Sequence, residues 1–405
     1  VAGDMGKRNN KSSFGPGFLV AAAFIGPGTV TSCSLAGARF GYALIFALIF
    51  AVVTTLILQE MTGRLSLGSG YDLAQSLREF PKNDTTKLLF VILTLSSITF
   101  GCAAYEAGNL VGGAIGLEMV SPVSKKIWVL LISIVAAFVL SRQKYRIVEK
   151  FLIFLVFFMS LSFLITVILV NPDFISILKG SIPSFPNKSL YLVLALVGTT
   201  VVPYNLFLHS STVKQKWQNK EDLKSVKKDL LVSISLGGLI SISIVVTSAV
   251  AFFDKGIALE TGVQMAQQLK PLFGSFTNWL FGMGLFAAGL SSAITAPYAA
   301  AFASSGILGW KQGVQSGKFR AIWMGVLGIG LVVSLFDFNP LAIIVFAQVA
   351  NGLVLPVASI FLLIVLNNRQ KMQNLANTSF QNILGGMVIL LVCFLGIWSI
   401  LRLFL

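Results

Sequence analysis

Long apolar runs, parted by short polar connections, constrain this chain more than any motif in it. A helix rises 1.5 Å per residue, so about 20 apolar residues cross a hydrocarbon core of roughly 30 Å. Such runs fall roughly at 16–40, 42–63, 88–117, 127–141, 148–170, 190–212, 230–252, 277–305, 321–337, 340–366 and 381–404. They are unbroken rather than alternating in polarity, which argues against a β-barrel. Of the 405 residues 56% are hydrophobic and 11% charged, where a soluble domain carries roughly 25% charged residues. There is too little polar surface here to cover a water-facing globule. The expected fold is an all-α membrane protein forming one transmembrane domain over 1–405, with 1–15 as a tail and no separate soluble domain.

The net charge of +15 would point to nucleic acid only if the basic residues gathered on one folded face. They sit instead in the connections, which reads as control of topology. With the amino terminus inside, 22 of the 30 Lys and Arg residues fall on the cytoplasmic side. That predicts an inside amino terminus and an outside carboxyl terminus. The dense run from Lys214 to Lys228 is expected to contact anionic lipid, and no interleaved aromatics mark a nucleic-acid reader. Cys33, Cys102 and Cys393 lie within apolar runs without metal-type spacing, so they read as packing residues. Lys7, Arg8 and Lys11 flank a retained first helix, and no cleavable leader is visible. A plasma (inner) membrane location, a monomer and no cofactor are expected. No nucleophile–base pair is apparent, which argues against an enzyme.

Two of the runs are interrupted. Gly26-Pro27-Gly28 lies near the middle of the first, and Val201-Val202-Pro203-Tyr204-Asn205 lies within the sixth. Proline removes a backbone donor and clashes with the preceding turn, and glycine lowers the cost of leaving the helix. In lipid the freed carbonyls and amides survive only beside protein or a cavity. Interruptions at matching places in two halves point to a transporter built from inverted repeats, with substrate held at the breaks. The halves would be 16–170 and 190–366, followed by an eleventh helix at 381–404. Exposed carbonyls could coordinate a cation, and the amides of Gly28, Thr29 and Val30 could hold an anion or polar group. Thr29 falls in the first turn after the break, where its hydroxyl can cap the helix or touch substrate.

These segments resemble a known family. "GFLVAAAFIGPGTVTSCSLAGARFGY" is similar to the first span of the Nramp divalent-metal transporters, and "ALVGTTVVPYNLFLHSS" to their sixth. "AAGLSSAITAPYAAAFASSGILGW" resembles their eighth span and "AQVANGLVLP" their tenth. The resemblance implies a LeuT-type fold of five plus five helices in inverted repeats plus one, with the first and sixth broken and access alternating between sides.

The resemblance also marks departures. The family's first break reads Asp-Pro-Gly-Asn, with both polar side chains on the metal; the matching positions here are Gly26 and Thr29. Its sixth-span methionine, a ligand for softer metals, is matched by Val202, and the histidine after the proline by Tyr204. The small residue whose carbonyl helps bind metal is matched by Thr199. Of an acidic pair on the proton route, Glu106 matches the first member and Asn109 replaces the second. Gln348 and His209 follow the family pattern. Without the carboxylate and thioether, a dehydrated Mn²⁺ or Fe²⁺ keeps a large desolvation penalty. Three readings therefore stay open: a carrier of a hard or hydrated divalent cation, a carrier of a small neutral or anionic solute, and a membrane sensor. No metal-ligand set is assigned.

Glu106 is the one acid deep within an apolar run, and an intramembrane carboxylate is a functional candidate by default. The alternative is a structural residue bonded to Tyr105 or Asn109. His209, the only histidine, could relay a proton or simply bond across helices. Gln348 and Asn351 fall on neighbouring turns of the tenth span, as substrate contacts or as helix-packing amides.

Overall fold

The computed structural model describes residues 15–81, 83–142, 146–310 and 316–404. The tail up to residue 14 lies outside the described residues, as do Lys82, Lys144 and Lys311 of the topology argument. Every described span is helical. The first is split into α1 (Pro16–Phe24) and α2 (Pro27–Phe40), and the second is α3 (Ile45–Ser69). A short α4 (Leu73–Glu79) leads to α5 (Asp84–Glu118), α6 (Lys125–Arg142) and α7 (Arg146–Val170). After a short α8 (Phe174–Gly180), the sixth span is split into α9 (Leu190–Thr200) and α10 (Pro203–Lys216). Then come α11 (Leu223–Ala251), the one-turn α12 (Lys270–Phe273), α13 (Thr277–Leu308), α14 (Gly317–Leu335) and α15 (Pro340–Leu366). A single turn, α16 (Arg369–Met372), precedes α17 (Ser379–Phe404).

Among the described residues eight helices are long and apolar enough to cross a membrane, or nine if a pair bent by 108° before α17 is one span. The first expected span is not among them because its halves hold only 9 and 14 residues. Nor is α6, whose 18 residues begin and end in three cations, Lys125, Lys126 and Arg142.

Burial is inverted relative to a soluble protein. Large apolar side chains such as Phe154, Phe157, Ile168 and Leu390 are exposed, as a lipid-facing surface requires. Thr29, Thr31, Ser32, Gln348 and Asn351 are buried. Polar groups concentrated in the centre of a bundle mark a working interior rather than a packing filler. Lys126 and Asp337 pair at 2.7 Å, joining the start of α6 to the end of α14. That hydrogen bond and charge hold the Asp337 carboxyl below the usual carboxylate range.

Both breaks have one backbone design. Ile25 (φ −82°, ψ 77°) and Val201 (φ −98°, ψ 81°) leave the helix first. Gly26 (φ −127°, ψ −175°) and Val202 (φ −89°, ψ 122°) are extended. Pro27 and Pro203 then open the second half-helices. The cause is steric: a proline ring pushes the residue before it out of the helical region, while its fixed φ suits the first helical position.

Small residues bring the broken helices against their neighbours. A methyl group on Gly112 of α5 would collide with the ring of Pro27, and one on Gly198 with the Gln348 carbonyl. In these places α5 meets α2, and α9 meets α15, almost backbone to backbone.

Two fastenings hold the first span, at the start of α1 and midway along α2, and both involve α11. The buried Asp229 carboxylate accepts from Gly15 N–H at 2.9 Å and Gly17 N–H at 2.6 Å, at the start of α1. An acid suits that place, since the first amides of a helix lack intrahelical partners and carry partial positive charge. Toward the other end of α11, Ser248 donates to the Ser34 carbonyl of α2. Gln268, in a 3₁₀ segment (Val263–Leu269), donates to Ser34 Oγ at 2.7 Å and accepts from Thr247 at 3.3 Å.

Candidate functional site

The two breaks meet. Thr29 sits one turn into α2 because Pro27 fixes where that helix begins, and Thr199 sits in the last turn of α9. Their hydroxyls are 2.7 Å apart and hydrogen bonded across 170 residues of sequence. Both side chains are fully buried.

Gln348 of α15 covers the same place. A methyl group on Gly28 would run into its amide, so the absence of a side chain at Gly28 is what admits Gln348. The Gln348 Nε2 donates back to the Ile344 carbonyl at 3.2 Å, while its Oε1 has no hydrogen-bond partner among the described residues. Tyr204 follows the second break, and its ring meets that of Tyr105 edge to face at 6.1 Å. The Tyr204 hydroxyl and both amide atoms of Asn205 are buried and have no hydrogen-bond partner among the described residues. Val202 is buried at the second break, and its carbonyl accepts from Asn205 N–H at 3.0 Å.

Three expectations are corrected here. The breaks were expected to hold substrate, but Ile25 to Val30 and Val201 to Asn205 are all buried here. Close packing by Gln348 and the Thr29–Thr199 bond seal the site in this state. Second, the Val30 amide is not available for a ligand, because it donates to the Gly26 carbonyl at 3.1 Å. The Gly28 amide remains, in the first turn, where a helix offers no acceptor. Third, the Thr29 hydroxyl is bonded to Thr199 rather than standing open to a substrate.

The proton-route residues fall into two separate groups. Asn109 Nδ2 donates to Glu106 Oε2 at 3.4 Å, and Glu106 Oε1 has no hydrogen-bond partner among the described residues. Glu106 is fully buried and packs on Gly330 of α14. His209 lies elsewhere, on α10, with Nδ1 2.9 Å from Thr62 Oγ1 of α3 and Nε2 without a partner among the described residues.

Sequence reasoning missed four residues. Tyr105 and Ser292 border Gly26: a methyl group there would lie 3.5 Å from the Tyr105 hydroxyl and 3.2 Å from Ser292 Oγ. The glycines at 101, 108 and 112 around Tyr105 were the available signal. Asp229 and Gln268 were hidden in a basic run and a loop. Nothing in their local sequence marks partners more than 200 residues away.

Electrostatically the site is neutral. Its side-chain ligand atoms are hydroxyls, phenols and amides, and among the described residues no cluster of three or more His, Cys, Asp or Glu could hold a metal ion. It can donate and accept hydrogen bonds and offer oxygen to a hard cation, but it offers no charge.

Residues 17–402 match the family described as Natural resistance-associated macrophage protein-like, Nramp. A protein of Caldanaerobacter subterraneus subsp. tengcongensis named divalent metal cation transporter MntH is 27% identical over 384 residues, which is 92% of this chain and 89% of the relative. Among solved structures, the Eremococcus coleocola manganese transporter aligns with a TM-score of 0.74 at 22% identity, covering 95% of this chain and 85% of that one. A nucleobase-cation-symport-1 family transporter aligns with a TM-score of 0.59 at 15% identity, covering 95% and 92%. These likenesses give the LeuT-type architecture: two broken helices at the centre of a helical bundle. By the match along nearly its whole length, the chain belongs to the Nramp family.

Proposed function

We propose that the chain is a secondary transporter that carries a divalent metal cation by alternating access, and that the cation keeps part of its water shell. The observation that carries this reading is the meeting of two proline-defined breaks at Thr29 and Thr199, bordered by Gln348 and Tyr105, whose side-chain oxygens have no partner among the described residues. Relatives across the chain's length are named for divalent metal cation transport. A site of hydroxyl, phenol and amide oxygens suits a hard cation. Without a carboxylate at Gly26 or a thioether at Val202, full dehydration would cost more than the site returns. Retained water lets Gln348, Asn205, Tyr204 and the hydroxyls of Thr29 and Thr199 accept hydrogen bonds from the ion's own shell.

The repeats 16–170 and 190–366 then rock against one another around the breaks, with residues 381–404 as an added helix. The amino terminus lies in the cytoplasm and the carboxyl terminus outside, by the distribution of Lys and Arg. The protein works as a monomer in the plasma membrane, and its basic connections contact lipid headgroups. Glu106, with Asn109 beside it, takes up and releases the coupling proton. His209 serves a separate polar contact to α3.

A second reading has one observation in its favour: the neutral site also suits a small neutral or anionic solute held at the Gly28 amide. Calorimetry and proteoliposome uptake with Mg²⁺ and Mn²⁺ separate the two. Saturable Mg²⁺ uptake, with Mn²⁺ no better than Mg²⁺, supports the metal reading. Absence of binding by both ions at millimolar concentration overturns it.

A further inference from the structure

We infer that Tyr105 is a substrate-contacting residue, its phenol hydroxyl completing the site beside Gly26. The inference rests on the transport reading above but not on which substrate is carried.

The argument begins with the face of α5 that meets the broken span. Residues 101, 105, 108 and 112 share one side of a helix by their spacing. Three are glycines, and a methyl group on each would press on a central helix. On Gly101 it would lie 3.1 Å from Asn351 Oδ1, and on Gly108 3.2 Å from Ala347 Cβ. On Gly112 it would strike Pro27. The stripe draws α5 tightly onto α15 and α2, and Tyr105 is the one large side chain on it. A helix that close has no room for tyrosine unless the ring enters a space that its neighbours leave open.

That space lies beside Gly26. The Gly26 backbone is in an extended region open to any residue, so conformation does not demand glycine there. The missing side chain leaves a gap bordered by the Tyr105 hydroxyl and Ser292 Oγ. Tyr105 is 0% exposed, and its hydroxyl has no hydrogen-bond partner among the described residues. A buried hydroxyl without a partner is expensive, and the expense is removed by a ligand that bonds to it.

The chemistry follows from the phenol. It donates one hydrogen bond and accepts others. It therefore accepts from a water on a hydrated cation, or donates to a carboxylate or carbonyl of an organic solute. The Tyr204 ring at 6.1 Å supplies a second phenol to the same wall.

The test uses the purified full-length protein with four probes: Mg²⁺, Mn²⁺, acetate and L-alanine. Affinities are measured by calorimetry for the parent, for Tyr105→Phe and for Tyr298→Phe, whose ring packs away from the breaks against Phe302 and Phe319. Tyr105→Phe is expected to bind about ten-fold more weakly, the loss of roughly one hydrogen bond, with an unchanged ligand-free melting temperature. Tyr298→Phe is expected to bind as the parent does. If Tyr105→Phe fails to fold, Gly26→Ala puts a methyl group into the same gap and is expected to weaken binding by a similar factor. A cation that binds the parent and both Tyr105→Phe and Gly26→Ala equally upholds metal transport and overturns the role of Tyr105. Binding of acetate or L-alanine alone, weakened by Tyr105→Phe, upholds Tyr105 and overturns metal transport. No binding of any probe to the parent overturns both.

Discussion

The Thr29 and Thr199 hydroxyls, one from each broken span, form a direct hydrogen bond of 2.7 Å at the centre of the protein. A cargo that enters between the spans must break this bond or replace it. The bond is therefore a measure of how firmly the empty site is closed. Thr29→Val and Thr199→Val each remove a hydroxyl while keeping the shape. Each is expected to destabilise the ligand-free protein by about 1 kcal/mol, and the double variant by much less than the sum. Thermal unfolding of the four proteins reads the coupling. Strict additivity would show that the two hydroxyls do not hold one another.

Gly28 and Gln348 form a matched pair, since the amide of Gln348 occupies the space that a side chain at position 28 would need. Gly28→Ala is expected to cost about 1–3 kcal/mol by overpacking. Shortening the partner should relieve it: Gly28→Ala with Gln348→Ala is expected to melt above Gly28→Ala alone. A double variant that melts lower than either single one would place the strain elsewhere.

Asp229 holds the start of α1 through two backbone bonds to its carboxylate. Hydrogen bonds to a charged group contribute about 1.5–3 kcal/mol each. Asp229→Ala is expected to free α1 and expose Val20, which is buried at 2% exposure. In a background without Cys33, Cys102 and Cys393, a Val20→Cys probe should react faster with a water-soluble maleimide once Asp229 is replaced. Asp229→Asn, which keeps one acceptor oxygen, should fall between. Equal rates in all three would mean that the carboxylate does not restrain the half-helix.

The architecture was legible because membrane physics writes it in plain runs: apolar lengths gave the spans, and Pro27 and Pro203 gave the two breaks. The extended backbone of Gly26 and Val202 was implicit in those prolines. The site was half legible. Thr29 and Thr199 meet, and Gln348 packs on Gly28, because they lie at or across from the breaks. Tyr105 escaped notice because its importance depends on the glycines around it, which set helix separation rather than chemistry. Asp229 escaped because it lies among lysines, where an acid reads as a local ion-pair partner. That α1 begins against it is a fact of tertiary packing. The closure of the site was not legible at all, since alternating access allows open and closed forms of one sequence.

Glu106 offers a separate test of coupling. Replacement by Gln keeps its volume and its contact with Asn109 but removes the ionisable proton. Uptake by the parent in proteoliposomes is expected to rise with an inward proton gradient, and uptake by Glu106→Gln to ignore it. A variant as gradient-sensitive as the parent would remove Glu106 from the proton route.

Asp229 and Ser248 stand 19 residues apart on α11, about 28 Å along a helix axis, which is nearly the thickness of the hydrocarbon core. One rod thus ties down the near end of α1 and, by way of Ser34 and Gln268, the middle of α2. A small slide of that rod loads one knot while it slackens the other. An antibody clamped on residues 262–270 is expected to be felt at Gly15, at the opposite end of that rod.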